Sequence, residues 1–179
     1  MRVGGAGFML PQEAVWLEAT IARPDLVERF FRLAAERAIK NIAFLAQHGF
    51  RYLFGGGDLA SQEGPLYSPR AFRALALPHL QRISDACHSA GCYHLFNSDG
   101  NTWQVAEDIF VHGRVDAYYE VDRRAGMDLL KLRQRFPRLR LIGNISSHTL
   151  FTGTPQQVID ETRACIDEAR RATGVVIGV

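Results

Sequence analysis

The polar side chains of this chain collect where its apolar runs stop. Asp58 and Gln62 come after Tyr52-Leu53-Phe54 and glycines 55–57, and Asn97, Ser98, Asp99 and Asn101 come after Leu95-Phe96. Asp122 closes the run that begins at Val115, and Asn144, Ser146 and His148 follow Leu141-Ile142. An aspartate so placed can hold the N–H groups of a polar heterocycle, or protonate a leaving group once burial raises its pKa. Asn97 and Asn101 each offer a donor and an acceptor, which suits a pterin-like or pyrrole-like ligand. Asp58 and Asp99 are therefore the candidate catalytic residues; Asn97, Asn101, Asp122, Asn144 and His148 are the candidate substrate contacts. Each also has a plain structural reading. Asp58 can solvate a tight turn, Asp99 and Asn101 can cap loops or helices, and a lone histidine such as His148 is commonly a loop hydrogen-bonding residue. Asp128 belongs to a helix start, where an acid suits the dipole.

Bringing these residues together requires elements that end in one place. Short apolar strands alternate with longer amphipathic helices along the whole chain. Residues 24–48 carry Leu26, Phe30, Leu33, Ile42 and Leu45 near helical spacing, and Gly49 ends the pattern. Strands are expected at 50–54, 92–96, 115–121, 139–145 and 174–179, with a further one at 3–8 that its glycines weaken. Ser68-Pro69 and Thr154-Pro155 each set an N-cap before a proline at the first helical position, opening helices towards Gly91 and across the last third of the chain. Helices are also expected at 102–112 and 127–136. Such alternation means a parallel sheet covered by helices. No GxGxxG or GxxxxGK[ST] motif marks a dinucleotide or P-loop fold; glycines 55–57 match neither. In a (β/α)8 barrel every strand-end loop converges on one face, where such folds build their sites. A doubly wound sheet is the alternative.

Bulk properties remove several functional classes. With 179 residues the chain has material for one domain and a real core, and its net charge of +2 is too small to argue for nucleic acid or an anionic membrane. The three cysteines, Cys87, Cys92 and Cys165, form no Cys-x-x-Cys pair, which argues for a reducing compartment and a cytoplasmic protein. No apolar run has the length of a membrane span, and Met1-Arg2-Val3-Gly4-Gly5 has no apolar signal core.

Four segments, in this order, resemble the uroporphyrinogen decarboxylase superfamily. They are the loop from Gly57-Asp58-Leu59-Ala60 through Ser68-Pro69; Leu95-Phe96-Asn97-Ser98-Asp99-Gly100-Asn101; Ala125-Gly126-Met127-Asp128; and Leu141-Ile142-Gly143-Asn144-Ile145-Ser146 with Gly153-Thr154-Pro155. The resemblance is to the C-terminal portion of the family and covers most of the chain. It implies an α/β, TIM-type (β/α)8 barrel, here a partial barrel of the C-terminal five or six βα units occupying residues 1–179. It also implies either cofactor-free decarboxylation of a tetrapyrrole-like carboxylate, a lyase reaction, or methyl transfer between a corrinoid protein and an acceptor. Where the thiol methyltransferases carry a His-x-Cys-Gly zinc motif, this chain reads Asn97-Ser98-Asp99-Gly100, and the later cysteine ligand would lie beyond Val179. One aspartate with an amide is a poor remnant of a zinc set, so no zinc is expected. Alternation points Cys92 and His94 to the same side of their strand, and core packing outweighs a metal reading for them. Asp122 falls where many relatives carry a glutamate.

The expectation is a corrinoid-linked methyltransferase or an uncharacterised relative, taking a small-molecule substrate, with no tightly bound cofactor and any corrinoid carried by a partner protein. The alternatives are the decarboxylase and a non-catalytic truncated half-barrel that binds a partner or ligand. No nucleic-acid or membrane partner is expected. The apolar terminal segment Val175-Val176-Ile177, with no helix after it to cover it, predicts an open edge and self-association.

Overall fold

The strands follow one another around the sheet in chain order and never reverse. The computed structural model describes residues 3–5 and 7–178 of the chain. Its six strands are β1 (Val3–Gly5), β2 (Tyr52–Gly56), β3 (Tyr93–Asn97), β4 (Ala117–Val121), β5 (Arg140–Asn144) and β6 (Val175–Gly178), all parallel and ordered β1 to β6. Ala6 and Val179, which the expected first and last strands include, lie outside the described residues, as do Met1 and Arg2. A doubly wound sheet reverses its strand order at a switch point, so this topology excludes that alternative. It is an arc of a (β/α)8 barrel whose sheet is not closed among the described residues.

Two ring contacts show which face is concave. Phe54 of β2 meets Tyr119 of β4 with 5.0 Å between centroids, reaching across β3. The Arg140 guanidinium of β5 lies 5.6 Å over the Tyr93 ring of β3, across Ala117 of β4. Side chains two strands apart meet in this way on the inner side of a curved sheet. The alternate residues Leu53, Phe96, Tyr118 and Leu141 are fully buried on the convex side, in one core with the apolar faces of the helices.

The crossovers are α1 (Ala14–Ala22) and α2 (Pro24–Gln47) before β2, α3 (Pro69–Ala71) and α4 (Leu77–Ser89) before β3, α5 (Leu129–Arg135) before β5, and α6 (Ser147–Thr152) and α7 (Pro155–Ala172) before β6. Helix α2 buries Val27, Phe31, Ala35, Ala38 and Ile42, a stripe at three- and four-residue spacing. Ser68 accepts the Ala71 N–H at 3.2 Å and opens α3. Between α3 and α4 the ladder widens into a π turn (Phe72–Ala76), with the Leu77 N–H donating to the Phe72 carbonyl. Pro78 has no N–H to continue a normal ladder there, which accounts for the irregularity. Thr154 and Gln157 cap α7 reciprocally, at 3.3 and 2.7 Å.

The structure departs from the regular helix expected at 102–112. That crossover is a 3₁₀ turn (Trp103–Val105) and a π turn (Asp108–His112), the latter closed by the Gly113 N–H on the Asp108 carbonyl at 2.6 Å. Helices α1 and α6 were not apparent from the residue pattern. Helix α1 buries only Thr20 and has no side-chain cap, so it carries little amphipathic signal.

Candidate active site at the strand C-terminal ends

The loops after β2 and β3 are fastened to each other by their backbones. The Gly57 N–H donates to the Asn97 carbonyl at 2.9 Å, and the Asn101 N–H donates to the Ser61 carbonyl at 2.7 Å. Buried Ser98 accepts the Leu59 N–H through Oγ at 3.2 Å and donates to the Asp99 carbonyl at 2.8 Å. Glycine is required at this junction. A Cβ on Gly56, at φ 116°, would lie 2.5 Å from the Asn97 carbonyl oxygen, and one on Gly100, at φ 81°, would collide with the Ala60 backbone.

This fastening gathers carboxylates. Asp58 Oδ1 accepts the Asp99 N–H at 3.4 Å, and Asp122 Oδ2 accepts the Gly100 N–H at 3.3 Å. Asp122 Oδ1 also accepts the Arg124 and Ala125 N–H groups at 2.9 and 3.1 Å, so Asp122 staples the loop after β4 to the loop after β3. A fourth acid, Glu120, joins them. The β4–β5 register slips between Tyr119 and Val121, and Glu120 takes φ 68°, a bulge that re-aims a residue of the strand. Glu120 Oε2 accepts the Asn97 Nδ2–H at 3.3 Å.

Two of these acids, Asp99 and Glu120, are held above the ordinary carboxylate range. Burial, then the charges of Asp58 and Asp122, push the Asp99 carboxyl above its ordinary range. Burial likewise raises Glu120; the Asn97 hydrogen bond opposes this shift, and the charges of Asp99 and Asp58 add to it. Carboxyls raised in this way hold protons at a pH where an ordinary aspartate has lost its own, which suits general-acid work.

Beside them opens a cleft of about 180 Å³, whose lining combines the acids Asp99, Glu120 and Asp122 with the cations Arg123 and Arg124 and with Gln62, Asn144, Ser146 and His148. Asn144 is buried at φ 95° and donates its Nδ2–H to Glu168 Oε2 at 3.0 Å, while among the described residues its Oδ1 has no partner. Glu168 Oε1 accepts from Arg123 at 2.7 Å, so one carboxylate of α7 ties the ends of β4 and β5 together behind the cleft. Burial is also the first cause raising the Cys165 thiol, which donates to the Asn144 carbonyl at 3.2 Å.

Of the residues expected from sequence, Asp99, Asp122, Asn144 and His148 line this cleft. Asp58 and Asn97 stand beside it, joined to Asp99 and Glu120. Asn101 lies elsewhere: its Oδ1 accepts the Trp103 N–H at 3.2 Å and caps the 3₁₀ turn. Glu120 was missed, although an acid inside an otherwise apolar strand is a visible signal. Asp128 caps α5 by accepting the Lys131 N–H at 2.8 Å. His94 is buried on the helix side, with Nδ1 2.8 Å from Ser84 Oγ. Among the described residues no three His, Cys, Asp or Glu side chains are placed to hold a metal ion, and no helix is long and apolar enough to cross a membrane.

A parallel arc of βα units defines a TIM-type barrel fold, and its acidic cluster lies on the strand C-terminal rim, where that architecture places its sites. The sequence profile of the uroporphyrinogen decarboxylase family matches residues 6–179, and the chain belongs to that family. No curated protein matches the sequence. Among solved structures, a methyltransferase from Methanosarcina mazei superposes with a TM-score of 0.76 at 22% identity, over 98% of this chain and 52% of that one. A crystal structure of an uncharacterised protein matches with a TM-score of 0.39 at 18% identity, over 82% of this chain and 36% of that one. The chain thus spans about half the length of the methyltransferase.

Proposed function

We propose that the chain serves a cytoplasmic methyl-transfer reaction of the uroporphyrinogen decarboxylase superfamily, binding the small-molecule reactant at the strand C-terminal rim while a corrinoid carried by a partner protein exchanges the methyl group. The observation carrying this reading is Asp99. Its carboxyl is held above the ordinary range by burial and by Asp58 and Asp122, and among the described residues it accepts no hydrogen bond from the protein. It stands at the mouth of an open cleft and can give a proton to, or take one from, a bound molecule. The fold-level likeness to a methyltransferase supports methyl transfer over decarboxylation.

The size of the cleft bears on the corrinoid. At about 180 Å³ it is smaller than a pocket for a drug-sized ligand, roughly 300–1,000 Å³, and so does not enclose a corrin ring. The ring would meet the open rim from outside, which fits a cofactor held by a partner. It would supply the cobalt-centred methyl chemistry; this chain's residues orient the small reactant and manage its proton. Asp58 and Asp99 would set protonation, Asn97 and Asn144 would orient polar atoms, and Asp122 and Glu168 would hold the loops in register.

The test is demethylation of methylcobalamin by the purified chain with small thiols and amines offered as acceptors. Turnover that falls on Asp99→Asn supports the reading. No turnover by the native chain, together with loss of carbon dioxide from an offered pyrrole carboxylate, would replace it with the decarboxylase.

A further inference from the structure

Asp99 owes its place to its backbone. Among the described residues its carboxylate accepts no hydrogen bond, whereas both peptide groups that flank it are fastened at both ends. Its own N–H and that of Gly100 go to Asp58 and Asp122, at 3.4 and 3.3 Å. The two carbonyls are held more tightly, by hydroxyls. Tyr118 Oη donates to the Ser98 carbonyl at 3.0 Å, and Ser98 Oγ donates to the Asp99 carbonyl at 2.8 Å. Ser98 Oγ also accepts the Leu59 N–H, which ties the same point to the loop carrying Asp58.

Tyr118 and Ser98 are both fully buried, and neither lines the cleft. Tyr118 stands on the helix side of β4, its ring 4.9 Å from that of Phe110, among the apolar side chains Leu53, Phe96 and Leu141. A phenylalanine would fill that volume equally well. What the phenol adds is a donor aimed at the Ser98 carbonyl. Burial pushes its ionisation up; the Thr102 hydrogen bond opposes this and the charges of Asp122, Asp99 and Glu120 add to it, so the donor persists throughout the neutral range.

We infer that Tyr118 and Ser98 are positioning residues for Asp99: their hydroxyls hold the two carbonyls beside it and so set where its carboxyl stands at the cleft. The inference rests on the reading of Asp99 as the group that exchanges a proton with the bound reactant. An acid without a side-chain anchor is aimed only as well as its backbone is held, and a misplacement of roughly 1 Å can cost about a hundredfold in rate. Asp99 faces Asp58 from the loop after β2, Glu120 and Asp122 from the end of β4, Arg123 and Arg124 beyond them, and His148 of α6. Burial is the first cause of its raised pKa, so a loosened backbone that admits water should bring that value down.

Carbon-13 NMR titration of the Asp99 carboxyl, assigned by its loss in Asp99→Asn, reads this directly. In Tyr118→Phe and in Ser98→Ala the Asp99 midpoint should move down towards that of an ordinary aspartate. Methyl transfer from methylcobalamin should fall roughly ten- to hundredfold in kcat, with KM little changed. Tyr67→Phe is the control: it deletes a buried hydroxyl that has no partner among the described residues, and both readings should stay where they are. If Tyr118→Phe does not fold, Ser98→Ala decides. An Asp99 midpoint unchanged in either folded variant, or moved as far by Tyr67→Phe, overturns the inference whatever the melting temperatures do. Shifted midpoints in a chain whose native form shows no demethylation leave the positioning standing and remove the methyl-transfer reading. Demethylation with unshifted midpoints does the reverse.

Discussion

Asp58 and Asp99, 41 residues apart in sequence, meet at the rim of the sheet, where Asp58 Oδ1 accepts the Asp99 N–H at 3.4 Å. The contact binds the loop after β2 to the loop after β3 and places the charge of Asp58 where it raises the cost of ionising Asp99 and Glu120. The acids are therefore held together against electrostatic resistance, which protonation relieves.

Asp99→Asn removes one of those charges while keeping the shape of the side chain. A carboxyl whose folded pKa lies above its unfolded value costs stability as pH rises from the ordinary carboxylate range through the raised value. The variant should therefore melt slightly higher than the native chain at pH 7, by no more than roughly 3 °C because the group is partly solvent-screened, and the gain should vanish near pH 4. Paired melting curves at the two pH values check this, and a lower melting temperature at pH 7 contradicts it. Ligand binding should weaken in the same variant.

His94 titrates in the opposite sense. Burial lowers its pKa to about 4, only partly offset by the charge of Asp116. The neutral ring is kept on folding, so stability is complete above the ordinary histidine pKa and falls as pH drops from about 6.5 to about 4. Its contribution should shrink by about 2 kcal/mol between pH 7 and pH 5. Urea unfolding of the native chain and of His94→Leu at both pH values isolates the term, since the variant should lack it.

Glu168→Ala leaves Arg123 and the Asn144 amide without their shared acceptor. A loss of roughly 2 kcal/mol in unfolding free energy is expected, with Glu168→Gln costing less. The more specific sign is a loosened cleft, read as weaker ligand binding in Glu168→Gln at full fold content by circular dichroism. Unchanged binding in that variant would remove Glu168 from the site.

Gly100→Ala combines a positive φ with a Cβ driven into the Ala60 backbone. Destabilisation of at least about 2 kcal/mol is expected, and soluble yield should fall. Gly126→Ala is a control with the same backbone sign, φ 79°, and nothing within 4 Å of the new methyl group; it should cost less.

Strand β6 has a neighbour on one side only among the described residues, and Val176 on it is 60% exposed. Concentration-dependent self-association by light scattering is expected, and Val176→Lys should reduce it. A monodisperse monomer at all concentrations would count against the edge as a contact surface.

Much of this was legible beforehand because it is local. The N-caps at Ser68 and Thr154 and the alternation of short strands with helices are written in neighbouring residues, and the structure follows them; α2 also lies where it was expected, but its buried stripe runs through Val27, Phe31, Ala35 and Ala38 to Ile42 and leaves Leu26 and Leu33 exposed. The parts that were not legible depend on residues far apart in sequence. The slip of β4 against β5 is a property of two strands, and it is what turns Glu120 to the site. Asn101 has the right residue type at the right strand end, yet a local bond to the Trp103 N–H claims it for capping. The role of Glu168 is invisible in α7 alone, because its partners Arg123 and Asn144 come from the loop after β4 and the end of β5.

The glycine contacts between the loops after β2 and β3 bear on how this protein can change over time. Backbone touches backbone at Gly56–Asn97 and Gly100–Ala60, with no side chain between them to absorb a shift. Neither loop can lengthen, shorten or gain a side chain at these points unless the other alters in step. New specificities in descendants of this chain should therefore arise in the segment carrying α6, around His148, where no glycine among the described residues is wedged against a second loop.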